Sequence, residues 1–342
     1  MSRRRWLLIF VIAAIGGGVW WARRSPTHYP TGYIADRSAT LWSATAQVRR
    51  PVGTLAYGEK VSILARAGDL TEVRSADGTL GWVDNRLLMA PALWDHVGQL
   101  LSDARNMPVQ GKAHTRTISN VHIEPGRDSP RIFQFGRNVP VTILRRQVAS
   151  ASVGGEESHA GDEPASSADE KSDQEDWALV LYSPLKQGQS PASRGTQGET
   201  GGPAMPIAGW ILWRFMELDP PSPIGDYVGA AAKRVIAWAQ LNTVPDPSGD
   251  KPQYVVAAAK GGEGQPCDFT SIRVYTWGAA RMQYETSFAD NNVCGRLPLR
   301  VSQAPDGPEF RFNDQKNIEH AYRLIQTVVR RIAPPVAGRK AK

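Results

Sequence analysis

Cysteine, histidine and recognisable catalytic motifs are what this sequence has least of. Only Cys267 and Cys294 occur among 342 residues. That is too few for a disulfide-dense scaffold or a four-cysteine zinc site, and the two are not a Cys-x-x-Cys pair. The six histidines stand at positions 28, 96, 114, 122, 159 and 320, no two at the three- or four-residue spacing of a helical metal pair. There is no Gly-x-Ser-x-Gly elbow. Gly261-Gly262-Glu263-Gly264 lacks the Gly-Lys-Ser or Gly-Lys-Thr ending of a phosphate loop and reads as a flexible hairpin. No catalytic residue, metal or cofactor is therefore expected. What is present is 41% hydrophobic and 21% charged residues, the balance of a chain that buries real cores, in two or three domains at this length. The formal charge of +7, from 40 Lys and Arg against 33 Asp and Glu, invites an anionic partner such as nucleic acid, a lipid surface or a wall polymer.

There is one long apolar run. No charge falls between Trp6 and Ala22, while Arg3, Arg4 and Arg5 precede the run and Arg23 and Arg24 follow it. At about 1.5 Å per residue such a helix spans roughly 25 Å, the short end of a bilayer crossing. Trp6, Trp20 and Trp21 occupy its two ends, where interfacial aromatics belong. Residues 1–24 are thus expected to be a cytoplasmic stub and an uncleaved transmembrane anchor, with the excess of arginine keeping the N-terminus inside and the bulk exported. Ala14-Ile15-Gly16 is a weak processing site that would leave a very short apolar core. Export puts the basic surface on the wrong side of the membrane to meet nucleic acid.

Residues 33–89 read as short strands separated by turns at Tyr57-Gly58, Ala67-Gly68-Asp69 and Asp77-Gly78, which suggests a small, strongly bent β-barrel. In 91–106 the period changes, with Leu93, Val97, Leu100 and Leu101 at helical spacing, which predicts an amphipathic connector helix. The strand pattern then returns over 111–218. Phe135-Gly136 echoes Tyr57-Gly58, and Gly209-Trp210-Ile211 followed by Arg214-Phe215-Met216 echoes Gly81-Trp82-Val83 followed by Arg86-Leu87-Leu88. The second copy is longer because of 148–176 and 186–206. Residues 150–176 hold nine acidic side chains and one Lys, and 186–206 are mostly small and polar, so both read as disordered insertions in hairpins.

Asn120-Val121-His122-Ile123-Glu124-Pro125-Gly126, then Phe135-Gly136, then Gly209-Trp210-Ile211 resembles the bacterial Src-homology-3-like (SH3-like) domain. The first copy resembles it through Tyr57-Gly58, Asp77-Gly78 and Gly81-Trp82-Val83, without the Gly-Pro element. The resemblance implies binding rather than chemistry. Such domains are exported and attach to peptidoglycan peptides, other wall polymers or partner proteins, and many position a neighbouring catalytic domain. It places the chain at the bacterial inner membrane, with its bulk in the periplasm or otherwise outside the cytoplasm. Gly81, Trp82, Gly209 and Trp210 are then expected in the barrel cores. Trp42 and Trp213, with Tyr57 and Phe135 at the turn tips, are candidates for the aromatic wall of a ligand groove. Arg86 and Arg214, equivalent in the two copies, either pair with a peptide carboxylate there or are solvated.

After Pro220-Pro221-Ser222-Pro223, residues 220–335 resemble no family of known function. They read as a helix over 224–242, an antiparallel meander, and a closing helix over 317–332 that carries Ile318, Ala321, Tyr322, Ile325, Val328, Val329 and Ile332 on one face, with a basic tail at 336–342. The expected fold class is mainly β with α+β: an N-terminal transmembrane helix, two SH3-like β-barrels and a C-terminal α+β domain. In an exported chain Cys267 and Cys294 are expected to form a disulfide. The competing reading makes one of them a nucleophile with His320 as base, in a wall hydrolase.

Overall fold

A computed structural model describes residues 29–151, 174–184 and 204–332. The transmembrane anchor expected at 1–24, most of both expected insertions and the basic tail lie outside the described residues. Among those described, no helix is long and apolar enough to cross a membrane. The chain divides into two compact units. One runs to Ile34 and from Ser38 to Pro91, and the other takes 35–37 and everything from Ala92.

The first unit is a seven-stranded antiparallel sheet of β1 (Thr31–Ile34), β2 (Ser38–Trp42), β3 (Pro51–Ala56), β4 (Lys60–Ala67), β5 (Leu70–Arg74), β6 (Leu80–Asp84) and β7 (Leu88–Met89), in the order β3-β2-β6-β5-β4-β1-β7. Alternation of side chains along each strand sends Ile34, Leu41, Leu55, Val61, Val73 and Val83 into one core.

The second unit begins with helix α1 (Pro91–Arg105). It continues with β8 (Gly111–Thr115), β9 (Ser119–His122), β10 (Arg131–Phe135), β11 (Pro140–Ser150), β12 (Gln174–Tyr182), β13 (Ile207–Leu212) and β14 (Met216–Leu218), in the order β10-β9-β13-β12-β11-β8-β14. Position for position this is the order of the first sheet, so the sequence repeat is also a repeat of topology. A bulge recurs at the same place, between Ile63 and Ala65 in β4 and between Ile143 and Arg145 in β11. Ala104 of α1, with Leu100 and Leu101, packs on Leu144, Trp177, Leu179, Trp210 and Leu212, and so covers one face of this sheet.

The glycine of each Gly-Trp pair has a steric reason. A Cβ on Gly209 would overlap Val121 Cγ1, and one on Gly81 would sit 2.9 Å from Leu41 Cβ. Only glycine lets β6 cross β2, and β13 cross β9, so closely. Of the tryptophans that follow, Trp210 is buried in a core cluster on the face that α1 covers, whereas Trp82 is only half-buried. Because strand side chains alternate, Gly81 and Val83 face inward and Trp82 outward, opposite Trp42. Trp210 likewise faces α1.

The rest of the unit is more β-rich than the sequence pattern predicts. The helix expected over 224–242 is only α2 (Ile224–Ala230), and β15 (Arg234–Val244) follows it. Two bulges in β15, between Val235 and Ala237 and between Gln240 and Asn242, break the alternation of its apolar residues and imitate a helical period. With β16 (Lys251–Ala259), β17 (Ser271–Gly278) and β18 (Gln283–Asp290) it forms a four-stranded meander. The closing helix expected over 317–332 is a hairpin. Strands β19 (Gly295–Ala304), β20 (Gly307–Asp314), β21 (Glu319–Ile325) and β22 (Val328–Arg331) make a second meander, with Gln326 in the left-handed region at the last turn. Ile318 and Val328, counted in the helical stripe, are about half exposed at 53% each, and this β-branched segment instead buries Ala321, Tyr322 and Leu324. One face of the first meander packs Val256, Ala258 and Tyr275 against α2, and Phe288 reaches Tyr322 of the second meander.

Candidate ligand-binding site

The long β11–β12 hairpin carries a buried ionic cluster that organises the second unit. Adjacent residues Glu175 and Asp176, both within the insertion expected at 148–176, are part of β12, and Asp176 is fully buried. Asp176 accepts hydrogen bonds from Arg146, from Arg234 at 3.3 Å and from the Gly264 N–H at 2.9 Å. Arg146, whose side chain is 1% exposed, also donates to Asp268 at 2.8 Å and to the Gln265 carbonyl at 3.1 Å. Glu175 accepts from Arg127 at 2.7 Å and Arg214 at 2.8 Å, and Arg214 reaches on to Glu263 at 2.9 Å. Four guanidinium groups thus meet four carboxylates, which is how buried charge is tolerated. Burial opposes ionisation of Glu175, but Arg127 and Arg214 outweigh it and hold its carboxyl below the usual range. Burial likewise opposes the charge of Arg146, and Asp176 and Asp268 more than restore it.

The glycine-rich segment expected as a flexible hairpin is the other half of this cluster. Gly261 and Gly264 take positive φ of 93° and 76°, turning the loop so that its N–H and carbonyl groups face β11 and β12. Like a phosphate loop it presents a backbone N–H to an anion, but the anion is the chain's own Asp176. Cys267 and Cys294 form the expected disulfide, with Cα atoms 5.0 Å apart, tying this loop to the start of β19. There is no free cysteine among the described residues, so the alternative cysteine nucleophile has no thiol. Nearby, Gln110 is 1% exposed. It exchanges side-chain hydrogen bonds with the backbone of Leu299 at 2.7 and 3.2 Å, and its carbonyl accepts from the Trp238 N–H.

The residues proposed from sequence as an aromatic groove are not brought together. Tyr57, Phe135 and Trp213 are buried at 7%, 1% and 4% exposure. Flat aromatic side chains at turn tips and in the one-turn helix at 213–215 fill the interior, which excludes them from a ligand wall. Trp42 is half-buried, with the Arg49 guanidinium 4.6 Å above its ring. Arg86 pairs with Asp84 at 2.8 Å on the surface, with its side chain 79% exposed, and Arg214 is held by the cluster.

An open cleft of about 510 Å³ lies elsewhere in the second unit, between α1 and the turn after β9. Its apolar lining is Leu100, Ile123, Pro125 and Trp210. Its polar lining is His96, Gln99 and Asp103 on α1, Glu124 on the turn, and Gln147 on β11. Sequence reasoning singled out Trp210 for the core and missed the cleft, because α1 was read only as a connector. The signal was available, since Ile123-Glu124-Pro125 belongs to the motif that carries the SH3-like resemblance. Beneath it, His122 is edge-on to Trp177 at 5.2 Å and its Nδ1 lies 2.7 Å from the Ser129 carbonyl oxygen. Burial, with help from Arg131, pushes this imidazole below its usual range against the opposing effect of the Ser129 carbonyl.

No family model matches the chain, and no curated protein does. Among solved structures, NlpC1 from Trichomonas vaginalis is 11% identical with a TM-score of 0.18, over 78% of this chain and 89% of that one. NlpC2 from Trichomonas vaginalis is 11% identical with a TM-score of 0.17, over 86% of this chain and 95% of that one. Likenesses this slight carry no argument about fold or chemistry.

Proposed function

We propose that this is a non-catalytic protein of the bacterial envelope, anchored through residues 1–24, whose exported part binds a cell-wall polymer such as peptidoglycan or an envelope protein partner. The two seven-stranded sheets are read as SH3-like barrels, a reading supported by their shared strand order and by the glycine in each Gly-Trp pair. The observation that carries the functional reading is the cleft. Motif residues 85 or more positions apart in sequence, Ile123 and Pro125 from one motif and Trp210 from another, meet in an open depression beside α1. Large concave surfaces with an apolar floor and a few polar groups are where ligands bind. The test is retention of the full chain by isolated sacculi. Gln147 is exposed on the rim, so Gln147→Trp fills the cleft without disturbing the core, and retention should fall to background. Unchanged retention would remove the cleft from the account.

A further inference from the structure

The charge pattern of the cleft defines the ligand more narrowly. Asp103 and Glu124 are both exposed and face the cleft from its two sides, one on α1 and one on the turn after β9. Asp103 accepts a hydrogen bond at 2.9 Å from the neutral Gln99 amide. Neither carboxylate has an ion-pair partner among the described residues. The carboxylates of the ionic cluster differ, since Glu175, Asp176, Glu263 and Asp268 each have an arginine. No Lys or Arg lines the cleft, and His96 is the single group there able to carry positive charge. The rest of the lining is aliphatic and aromatic, and the amides of Gln99 and Gln147 offer the donors and acceptors that a peptide backbone uses.

We infer that the cleft takes a peptide presenting a protonated primary amine on a short aliphatic chain. The methylenes lie on Leu100, Ile123, Pro125 and Trp210, and the ammonium sits between Asp103 and Glu124. An ammonium supplies three donors and compensates two carboxylates that have no ion pair among the described residues. An anionic ligand would meet two uncompensated carboxylates, so the overall charge of +7 does not describe this site. The inference rests on the cleft being the ligand site.

Calorimetric titration of the full chain with a capped tripeptide containing one lysine, and with its Nε-acetyl counterpart, tests it. The free-amine peptide should bind about tenfold or more tightly than the acetylated one. In the double variant Asp103→Asn with Glu124→Gln, whose changes are isosteric and on exposed side chains, that difference should vanish. Equal binding of the two peptides, no binding of either, or a difference that survives in the double variant would overturn the inference. If acetylation changes nothing while Gln147→Trp abolishes peptide binding, the cleft remains the site and only the amine preference fails. If Gln147→Trp leaves both peptide binding and sacculus retention intact, the cleft itself is wrong.

Discussion

The two seven-stranded sheets share strand order and a bulge, yet they part company at one hairpin. In the first, Gly68 and Asp69 turn the chain directly from β4 to β5, and Arg66, opposite Thr71, is exposed. In the second, the equivalent hairpin runs three rungs further, from Val148 opposite Asp176 to Ser150 opposite Gln174. There Arg146, opposite Ala178 in the place of Arg66, is buried among carboxylates. The same register position thus holds a solvated side chain in one copy and the centre of an ionic cluster in the other. The extra rungs supply Glu175 and Asp176, and the disulfide-tied loop supplies Glu263, Gly264 and Asp268. A repeat preserves backbone geometry, while the surrounding chain decides what a residue at a given place does.

The largest test of this contrast is a matched pair of substitutions. Arg146→Ala leaves Asp176 and Asp268 buried without their cation and should cost about 3–5 kcal/mol in chemical denaturation. Arg66→Ala should stay within about 0.5 kcal/mol. Equal effects would break the comparison. Next, replacing Cys267 and Cys294 with serine opens a 27-residue loop and should cost about 3.5 kcal/mol by loop entropy. If the disulfide clamps the loop onto β12, that variant should also reduce the cost of Arg146→Ala.

A smaller effect comes from acid. The Glu175 carboxyl is held below its ordinary value in the folded protein, so its contribution is complete above an unfolded-state value near 4.5 and is lost as pH falls through the lower folded value. Stability measured downward from pH 5 should fall less steeply in Glu175→Gln than in the parent. The smallest effect is expected at Arg86, the counterpart of Arg214. Its pair with Asp84 is on the surface, with a side chain 79% exposed, and Arg86→Ala should change stability by less than about 0.5 kcal/mol.

The mainly β character, the repeat, α1 and the disulfide were legible in the sequence, because alternation, turn residues and cysteine chemistry are local signals. Two helices were over-read for physical reasons. The bulges of β15 imitate a helical spacing, and the apolar residues at 317–332 are shared between buried and exposed faces of a hairpin. Glu175 and Asp176 were hidden because composition assigns them to the acidic stretch before them, whereas register assigns them to β12. The cleft was half legible. Ile123, Glu124 and Pro125 stood out as a motif, but their meeting with His96, Gln99 and Asp103 depends on where α1 packs, which is tertiary information.

The comparison of the copies also supplies the most direct test of the binding site. Gln147, opposite Trp177, and Ala67, opposite Leu70, occupy equivalent register positions, and Gln147 lines the cleft. Retention of the full chain by isolated sacculi should therefore be lost in Gln147→Trp and kept in Ala67→Trp. Loss in both, or in neither, would contradict the assignment of ligand binding to the cleft beside α1.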